Sequence, residues 1–365
     1  MTKRMLAAGF VVVLFGILAA IGPSQLRAQR PPKGPLAPAQ QLNVNCGAGQ
    51  TIGDALAQAQ DMLGHVQINI LGVCREVVQI SRSDVTLMGV SREDGIEAPE
   101  SIEFTVSING PNLVRLANLT VTGGSLGAFG GASFEADDIT IQDAINGIGA
   151  DKGVFGILRN VTIQNMSGFG ANVGSGGHLT LIGSQVHDNA YGVYAAEGAT
   201  FRVEASTIEY NSQFGAGASD GGVLSIQNTV IQNNPRFGLY VGTNGAASVS
   251  NGSVIKNNAQ GGAVLNIGAV LNLRSSTIEL NTGSGIVAQD GSIVSLGDSD
   301  AIVQNNTGSG VFLGHASAVT GNGQIKNNGA YGVQCTDPSA WIGGFGALQI
   351  GPNTSGATKD CQFGT

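Results

Sequence analysis

Seven asparagines recur at an almost constant interval through the second half of this 365-residue chain. The intervals are 22, 23, 24, 23, 25 and 22 residues, and the asparagines are Asn189, Asn211, Asn234, Asn258, Asn281, Asn306 and Asn328. An aliphatic residue precedes each asparagine by three positions, and a glycine follows it by three or four. Self-similarity at this spacing indicates a solenoid, in which each repeat packs against its neighbours.

Each repeat contains short runs in which apolar and polar residues alternate, such as Ala199 to Val203. A period of two is typical of β-strands, and glycine, asparagine and serine separate the runs. Three short strands fit in one repeat, and no run is long enough for a repeat helix. The pattern predicts an all-β parallel coil of roughly 11 or 12 turns, about 55 Å long.

We interpret the asparagine row as architecture. Asparagine tolerates the left-handed backbone conformation at a sharp bend better than most residues, and stacked amides can also hydrogen-bond along the coil axis. The alternative is an outward row that binds a ligand. The 57 glycines and the 12% of charged residues agree with tightly turning, weakly charged coils. Because a solenoid grows in one dimension, we predict a single domain over residues 42–365.

The N-terminal segment predicts export. Lys3 and Arg4 precede an apolar run from Met5 to Gly22, so residues 1–28 are typical of a secretory signal peptide, with an uncleaved membrane anchor as the alternative. Residues 29–41 are rich in proline and predict a spacer. The expected location is secreted, periplasmic or extracellular, and membrane contact is expected only if the segment is retained.

Four cysteines form two local pairs, Cys46 with Cys74 and Cys335 with Cys361. Disulfides are expected in an exported protein, and each would close one end of the coil and stabilise it by roughly 3 to 4 kcal/mol. Between the first two cysteines, the segment from Thr51 to Ala59 predicts a short helix that caps the first coil.

These N-terminal features carry a resemblance to a known family. The capping helix is followed by a Gly-x-Cys-x-Glu turn at Gly72 to Glu76 and by a Val-Thr-Leu-x-Gly strand at Val85 to Gly89. Together with the Asn-x-x-x-Gly coils, they resemble secreted right-handed parallel β-helix proteins of the pectate-lyase-like superfamily. The resemblance implies a right-handed coil over nearly the whole mature chain and does not carry an activity with it.

The formal charge limits the partners. Removal of residues 1–28 lowers it from −8 to −11, which disfavours nucleic acid and anionic lipid. Acidic polysaccharides are disfavoured too unless cations such as Ca²⁺ intervene. No histidine, cysteine or carboxylate group has the spacing of a resident metal site, although the acidic loop from Ser91 to Ser101 is an alternative place for calcium. The sequence leaves the oligomeric state open.

Catalytic candidates are few. His187, Asp188 and Glu209 lie on an outward polar stripe, where a solvated strand face is the stronger interpretation and an acid/base group the weaker one. His187-Asp188 partly matches the Asp-Pro-His-Asp motif of mannuronan epimerases, but Gln185-Val186 replaces the Asp-Pro.

Aromatic residues recur immediately before the strand glycines. The row consists of Phe169, Tyr191, Phe214, Phe237 and Tyr331, with Tyr194 and Tyr240 nearby. Outward rings could bind sugars at Tyr191, Tyr194, Phe214, Phe237 and Tyr240, whereas rings in the turns would only stack on neighbouring coils; we favour structural stacking. We therefore predict an exported non-catalytic module that contacts glycans or has a structural role at the cell envelope. The alternative is a polysaccharide lyase, glycoside hydrolase or epimerase with an atypical site.

Overall fold

A computed structural model describes residues 40–100, 102–343 and 347–364. In this part the chain winds as a right-handed parallel β-helix, and successive strands of a coil enter three parallel sheets, here called A, B and C. The predicted signal peptide and most of the predicted spacer lie outside the described residues. The first described strand begins at Gln40, within the segment predicted to be a spacer.

Sheet A contains 15 strands in the described part of the chain. In the coils near the middle, its second and fourth strand residues point inward, as with Phe201 and Val203, which are fully buried. The strands are Gln40–Asn45, Val66–Leu71, Val85–Gly89, Leu113–Ala117, Ser133–Asp137, Phe155–Arg159, His178–Ile182, Thr200–Glu204, Val223–Gln227, Ala246–Ser250, Val270–Leu273, Ile293–Leu296, Ala318–Gly321, Trp341–Ile342 and Gln362–Phe363.

Sheet B follows sheet A in each coil and has 13 described strands. Most are only three residues long, so a single central side chain such as Ile208 or Ile231 enters the core. The strands are Val73–Arg75, Gly95–Glu97, Thr120–Thr122, Thr140–Gln142, Thr162–Gln164, Gln185–His187, Thr207–Glu209, Val230–Gln232, Val254–Lys256, Ser276–Glu279, Ala301–Gln304, Gln324–Lys326 and Gln349–Ile350.

Sheet C completes each coil and also has 13 described strands. Its third and fifth residues fill the core in the central coils, as with Leu239 and Val241. The strands are Val78–Ile80, Phe104–Asn109, Ser125–Phe129, Ile148–Ala150, Phe169–Val173, Tyr191–Ala195, Phe214–Ala218, Phe237–Val241, Gly261–Leu265, Ile286–Ala288, Val311–Leu313, Tyr331–Cys335 and Gly356–Lys359.

The predicted fold is confirmed, but the predicted number of turns was too low. The described sheets hold 13 to 15 strands, whereas 11 or 12 turns were expected. The extra coils lie at the ends, where strands such as Gln349–Ile350 and Gln362–Phe363 have two residues and show no alternation. At about 4.8 Å per coil, 13 coils give a rod roughly 60 Å long.

The asparagine row is a continuous hydrogen-bond ladder inside the turn between sheets B and C. Asn258 is fully buried, and its Oδ1 accepts from the backbone N–H and the side-chain Nδ2 of Asn234, at 3.1 and 2.9 Å. Its Nδ2 donates to Oδ1 of Asn281 at 2.9 Å. The pattern repeats from Asn189 to Asn328 and continues to Asn353, one coil beyond the predicted row.

One of the two predicted reasons for asparagine is therefore wrong. From Asn189 to Asn328, the left-handed φ belongs to the residue before the ladder asparagine, for example Asn257 with φ 55° before Asn258 and Leu280 with φ 55° before Asn281. The ladder asparagine instead satisfies buried backbone donors, which would otherwise be left without partners at a bend in the core.

A second ladder, made of hydroxyl groups, lies in the turn between sheets A and B and was not predicted. Each hydroxyl accepts a hydrogen bond from the backbone N–H of the preceding coil: Ser206 Oγ from Ser184 at 3.1 Å, and Ser253 Oγ from Thr229 at 3.2 Å. These side chains are at most 4% exposed. Two of the three corners in these central coils therefore contain a buried polar side chain.

Both ends of the coil carry the predicted disulfides. Cys46–Cys74 and Cys335–Cys361 are bonded, with Cα–Cα distances of 4.9 and 5.0 Å. The predicted helix spans Ile52–Ala59 and packs Ile52 and Leu56 onto the first coil. The Glu76 carboxylate accepts from the backbone N–H groups of Ile52 and Gly53 at 2.6 and 2.9 Å, so it caps the first turn of this helix. No helix of the described residues has the length and apolar character needed to cross a membrane.

Replacing one ladder asparagine tests the first ladder. Asn258→Ala leaves the buried backbone N–H of Asn234 without an acceptor and removes one of the two acceptors of its Nδ2, so we expect the free energy of unfolding to fall by about 3 to 5 kcal/mol. Chemical unfolding followed by circular dichroism measures it. Asn257→Gly is the matched control, because Asn257 is exposed and glycine accepts its left-handed φ; we expect a change below about 0.5 kcal/mol. Equal stability of the two variants would show that the ladder does not stabilise the coil.

Removing the disulfides tests the end coils. We expect the variant with Cys46→Ser and Cys74→Ser to lose about 3 to 4 kcal/mol of stability, because a crosslink over 28 residues restricts the unfolded chain. Hydrogen exchange should show faster opening in the first coils and unchanged protection near Asn258. Uniformly faster exchange along the rod would contradict a local role for this disulfide.

Candidate binding face on sheet C

The outer surface of sheet C carries an aromatic row. Phe169, Tyr191, Phe214 and Phe237 occupy aligned positions on four successive strands, and each is partly exposed. A second aligned row lies three residues later and contains Tyr194 and Tyr240. Parallel strands in constant register hold these side chains on one face.

The asparagine ladder determines where these rings stand. A β-carbon at Gly238 would lie 2.7 Å from Nδ2 of Asn258 and 2.5 Å from Cγ2 of Ile255 in the next coil. Only glycine fits there, and the same close approach recurs at Gly215 with Asn234. The residue before each such glycine starts the strand with its side chain outward. The Asn-x-x-x-Gly signature therefore places the aromatic rows at the rim of sheet C.

The rings stack on one another across coils. Centroid distances are 4.8 Å for Phe169 with Tyr191, 4.9 Å for Tyr191 with Phe214 and 5.5 Å for Phe214 with Tyr240. Tyr194 also stacks on Phe169 at 5.1 Å. The rings are partly exposed on the outer face and also stack between neighbouring coils, so the predicted stacking is present, and sugar binding by these rings stays a prediction. The five predicted binding residues share this face.

Two depressions interrupt the aromatic surface. The first, of about 360 Å³, opens above Gly149 between the rings of Phe104 and Phe129 and those of Phe169 and Tyr194; we call it the Gly149 notch. The second, of about 250 Å³, is the Arg236 hollow. It is lined by Tyr191, Gln213, Phe214, Arg236, Phe237, Tyr240, Val264 and Asn266.

Tyr194 connects the aromatic surface to a polar group on the rim. Its hydroxyl is hydrogen-bonded to Ser219, whose Oγ donates to Oδ2 of Asp220 at 2.6 Å. Partial burial raises the pKa of Tyr194 above its usual value, the Ser219 hydrogen bond opposes this, and the charge of Asp220 adds to it. The phenol therefore stays neutral and hydrogen-bonded well into the alkaline range.

Two catalytic candidates, His187 and Glu209, lie on sheet B, and Asp188 lies in the turn that leads from sheet B to sheet C. His187 and Glu209 are aligned on neighbouring strands, but each has another partner. His187 Nδ1 lies 2.7 Å from Oδ2 of Asp188, and Glu209 accepts from Nε2 of Gln232 at 2.8 Å. The same Glu–Gln pairing recurs three coils on, between Glu279 and Gln304 at 2.8 Å. Such pairing across coils is typical of a solvated strand face.

No metal site can be built from the described residues, which contain no group of three or more His, Cys, Asp or Glu side chains arranged around one ion. In the acidic loop predicted as the alternative for calcium, Asp94 accepts from the backbone N–H groups of Gly72 and Ser91. Burial acts to raise the pKa of Asp94, but these hydrogen bonds outweigh it and lower the pKa below its usual value. The Asp94 carboxylate therefore stabilises the conformation of this loop.

The sequence interpretation missed the Gly149 notch. Its rim carries Glu103, Asp151 and Glu197, which come from three different coils. The sequence signal for the notch is Gly149. Two coils further on, the aligned position is Tyr194, so a glycine stands where another strand of sheet C has an aromatic ring. That signal can be recognised only once the register between coils is known.

Comparison with known proteins agrees with the architecture. A family model described as a right handed beta helix region matches residues 106–267 and 215–343. The solved structure of a double mutant of the periplasmic alginate epimerase AlgG covers 87% of this chain, and 84% of its own chain is covered, with a TM-score of 0.58 and 13% identity. Another structure of that epimerase covers 89%, and 84% of it is covered, with a TM-score of 0.50 and 14% identity. At these identities the likeness shows the fold alone. No curated protein sequence matches.

The alkaline stability of the protein tests the environment of Tyr194. Because its pKa is raised in the folded state, the stability it contributes is present below the unfolded pKa of about 10 and is lost as pH rises through the folded value. We expect Tyr194→Phe to flatten the fall of stability above about pH 10. Urea midpoints at increasing pH measure it. Tyr210→Phe, at a half-exposed tyrosine, is the control and should retain the slope; an equal effect of both variants would refute the assignment.

Proposed function

The chain belongs to the right-handed β-helix family, and on that premise we propose that it is an exported, non-catalytic protein that binds a polysaccharide along the outer face of sheet C. The observation that carries the proposal is the pair of aligned aromatic rows with a depression at each end. Aromatic rings offer flat apolar surfaces to the C–H faces of sugar rings, and nearby polar groups can bond sugar hydroxyls.

The shape of the face fits a linear polymer. The stacked rings extend over consecutive coils, so a chain lying along the rod axis would meet a ring or a depression at each coil spacing of about 4.8 Å. The rings already pack against one another in the free protein. Little side-chain entropy would then be lost on binding, which favours affinity.

Export is supported by the chemistry of the cysteines. All four are in disulfides, which persist in oxidising compartments outside the cytosol. The proposed signal peptide at residues 1–28 would direct the chain there. The solved structures of similar fold include a periplasmic alginate epimerase, which is consistent with a glycan partner for this chain.

The alternative function, a polysaccharide lyase, hydrolase or epimerase, has less support. His187 and Glu209 lie on sheet B, Asp188 lies in the following turn, and Glu209 is bonded to Gln232 rather than to His187. The outward side chains of sheet B lie on a different face from those of sheet C. We therefore assign the aromatic face to binding.

Glycan binding is tested by measuring affinities of the purified protein for neutral, amino-bearing and acidic polysaccharides by calorimetry. We expect the variant with Phe214→Ala and Tyr240→Ala to lose at least about tenfold in affinity, because each ring contributes on the order of 1 kcal/mol. Phe155→Ala is the matched control, since Phe155 is an exposed ring on sheet A. Circular dichroism checks that both variants keep their β structure.

Two results would contradict the proposal. The binding role fails if no glycan binds, or if Phe155→Ala weakens binding as much as the double variant. The non-catalytic role fails if incubation with any of these polysaccharides yields new reducing ends, unsaturated products or altered sugar epimers, and if His187→Ala abolishes that yield.

A further inference from the structure

The Gly149 notch differs chemically from the rest of the aromatic face. Its walls along the rod axis are rings, Phe104 and Phe129 on one side and Phe169 and Tyr194 on the other. The other two edges of the notch, at the beginning and the end of the sheet C strands, carry acidic residues. Glu103 precedes the strand Phe104–Asn109, and Asp151 and Glu197 lie in turns that lead from sheet C to sheet A.

These carboxylates are not neutralised by the protein. Within the described residues, no arginine, lysine or histidine lines the notch, and none is ion-paired with Glu103, Asp151 or Glu197. Sheet A shows the contrast, because Glu135 and Asp137 there are bridged by Arg115 and Arg159 at 2.6 to 3.4 Å. The negative charge of the notch is therefore left for a ligand.

A single metal ion does not suit this arrangement. Among the described residues, no three or more His, Cys, Asp or Glu side chains are arranged around one ion, and the three rim carboxylates do not form such a group. Two of the three carboxylates already accept one local hydrogen bond each: Asp151 from the backbone N–H of Lys152 at 2.8 Å, and Glu197 from Ser175 Oγ at 2.8 Å. They are held apart around a depression of about 360 Å³, which has the size of a small organic group.

We propose that the Gly149 notch binds a protonated amino sugar unit of a cationic polysaccharide. This rests on the proposed glycan-binding role of sheet C. The ring of the sugar lies against Phe169 or Phe129, and its ammonium group donates to the rim carboxylates, whose charge repels uronate polymers.

The ligand class is tested with three oligosaccharides of matched length: glucosamine oligomers, their N-acetylated counterparts and galacturonate oligomers. Calorimetry on the full purified protein should show the tightest binding to the glucosamine oligomers. Raising the salt concentration should weaken that binding, because exposed charge pairs are screened, and should leave binding of the N-acetylated oligomers unchanged.

The rim is tested by removing charge at constant shape. The variant with Glu103→Gln and Glu197→Gln should bind glucosamine oligomers roughly fivefold to tenfold more weakly and the N-acetylated oligomers equally well. The matched control carries Glu209→Gln and Glu279→Gln, which remove the same charge from sheet B; it should match the wild type.

The notch itself is tested by filling it. A β-carbon at Gly149 meets only Asn172 Oδ1, at 3.9 Å, so Gly149→Leu occupies the depression without disturbing the coil. It should reduce glucosamine-oligomer binding by tenfold or more. Thr180→Leu, on the outer face of sheet A, is the control for an added apolar side chain and should bind as the wild type does.

The outcomes separate the two proposals. Preference for amines together with sensitivity to both notch variants supports the inference. Binding of N-acetylated or uronate oligomers that equals or exceeds amine binding, or that ignores Gly149→Leu, overturns the inference and leaves the glycan-binding role intact. Absence of binding to all three classes overturns the inference, and absence across the wider polysaccharide panel overturns the proposed function as well.

Discussion

The buried amide ladder is the interaction on which the rest of the rod depends. From Asn211 to Asn353, each coil places a carboxamide where it accepts a backbone N–H and an amide N–H from the coil before. A shift of one residue would bring Leu280 or Tyr210, which have no carboxamide, to the positions of Asn281 and Asn211 and leave buried donors without acceptors. The ladder therefore maintains the register, and the aliphatic core follows it.

The same ladder explains the aromatic face. Because the amide of Asn258 packs against Gly238, the residue before that glycine is directed outward at the rim of sheet C, and Phe237 occupies that position. Repetition over coils brings rings to distances of about 5 Å, as for Tyr191 and Phe214 at 4.9 Å. A feature of the core thus produces a feature of the surface that a ligand can use.

In the site that we propose, charge sets the selectivity. The rod as a whole is acidic, but on sheet A the carboxylates of Glu135 and Asp137 are bridged by arginines, whereas those around Gly149 are left unneutralised. Aromatic walls with an acidic rim suit an amine-bearing sugar and repel a uronate. Similar folds can therefore face polymers of opposite charge, because the solenoid specifies the positions and the individual side chains specify the chemistry.

The sequence by itself determined the period, the three-strand coil, the capping helix and the pairing of Cys46 with Cys74, because each depends on residues close in sequence or on repetition. It predicted that the asparagine amides stack along the axis, but it assigned the left-handed φ to the asparagine itself, whereas that φ falls on the preceding residue, such as Leu280. Only the tertiary structure brought Glu103, Asp151 and Glu197 around Gly149. Any two of these residues are separated by 46 to 94 positions in the sequence, and only the register between coils makes them neighbours.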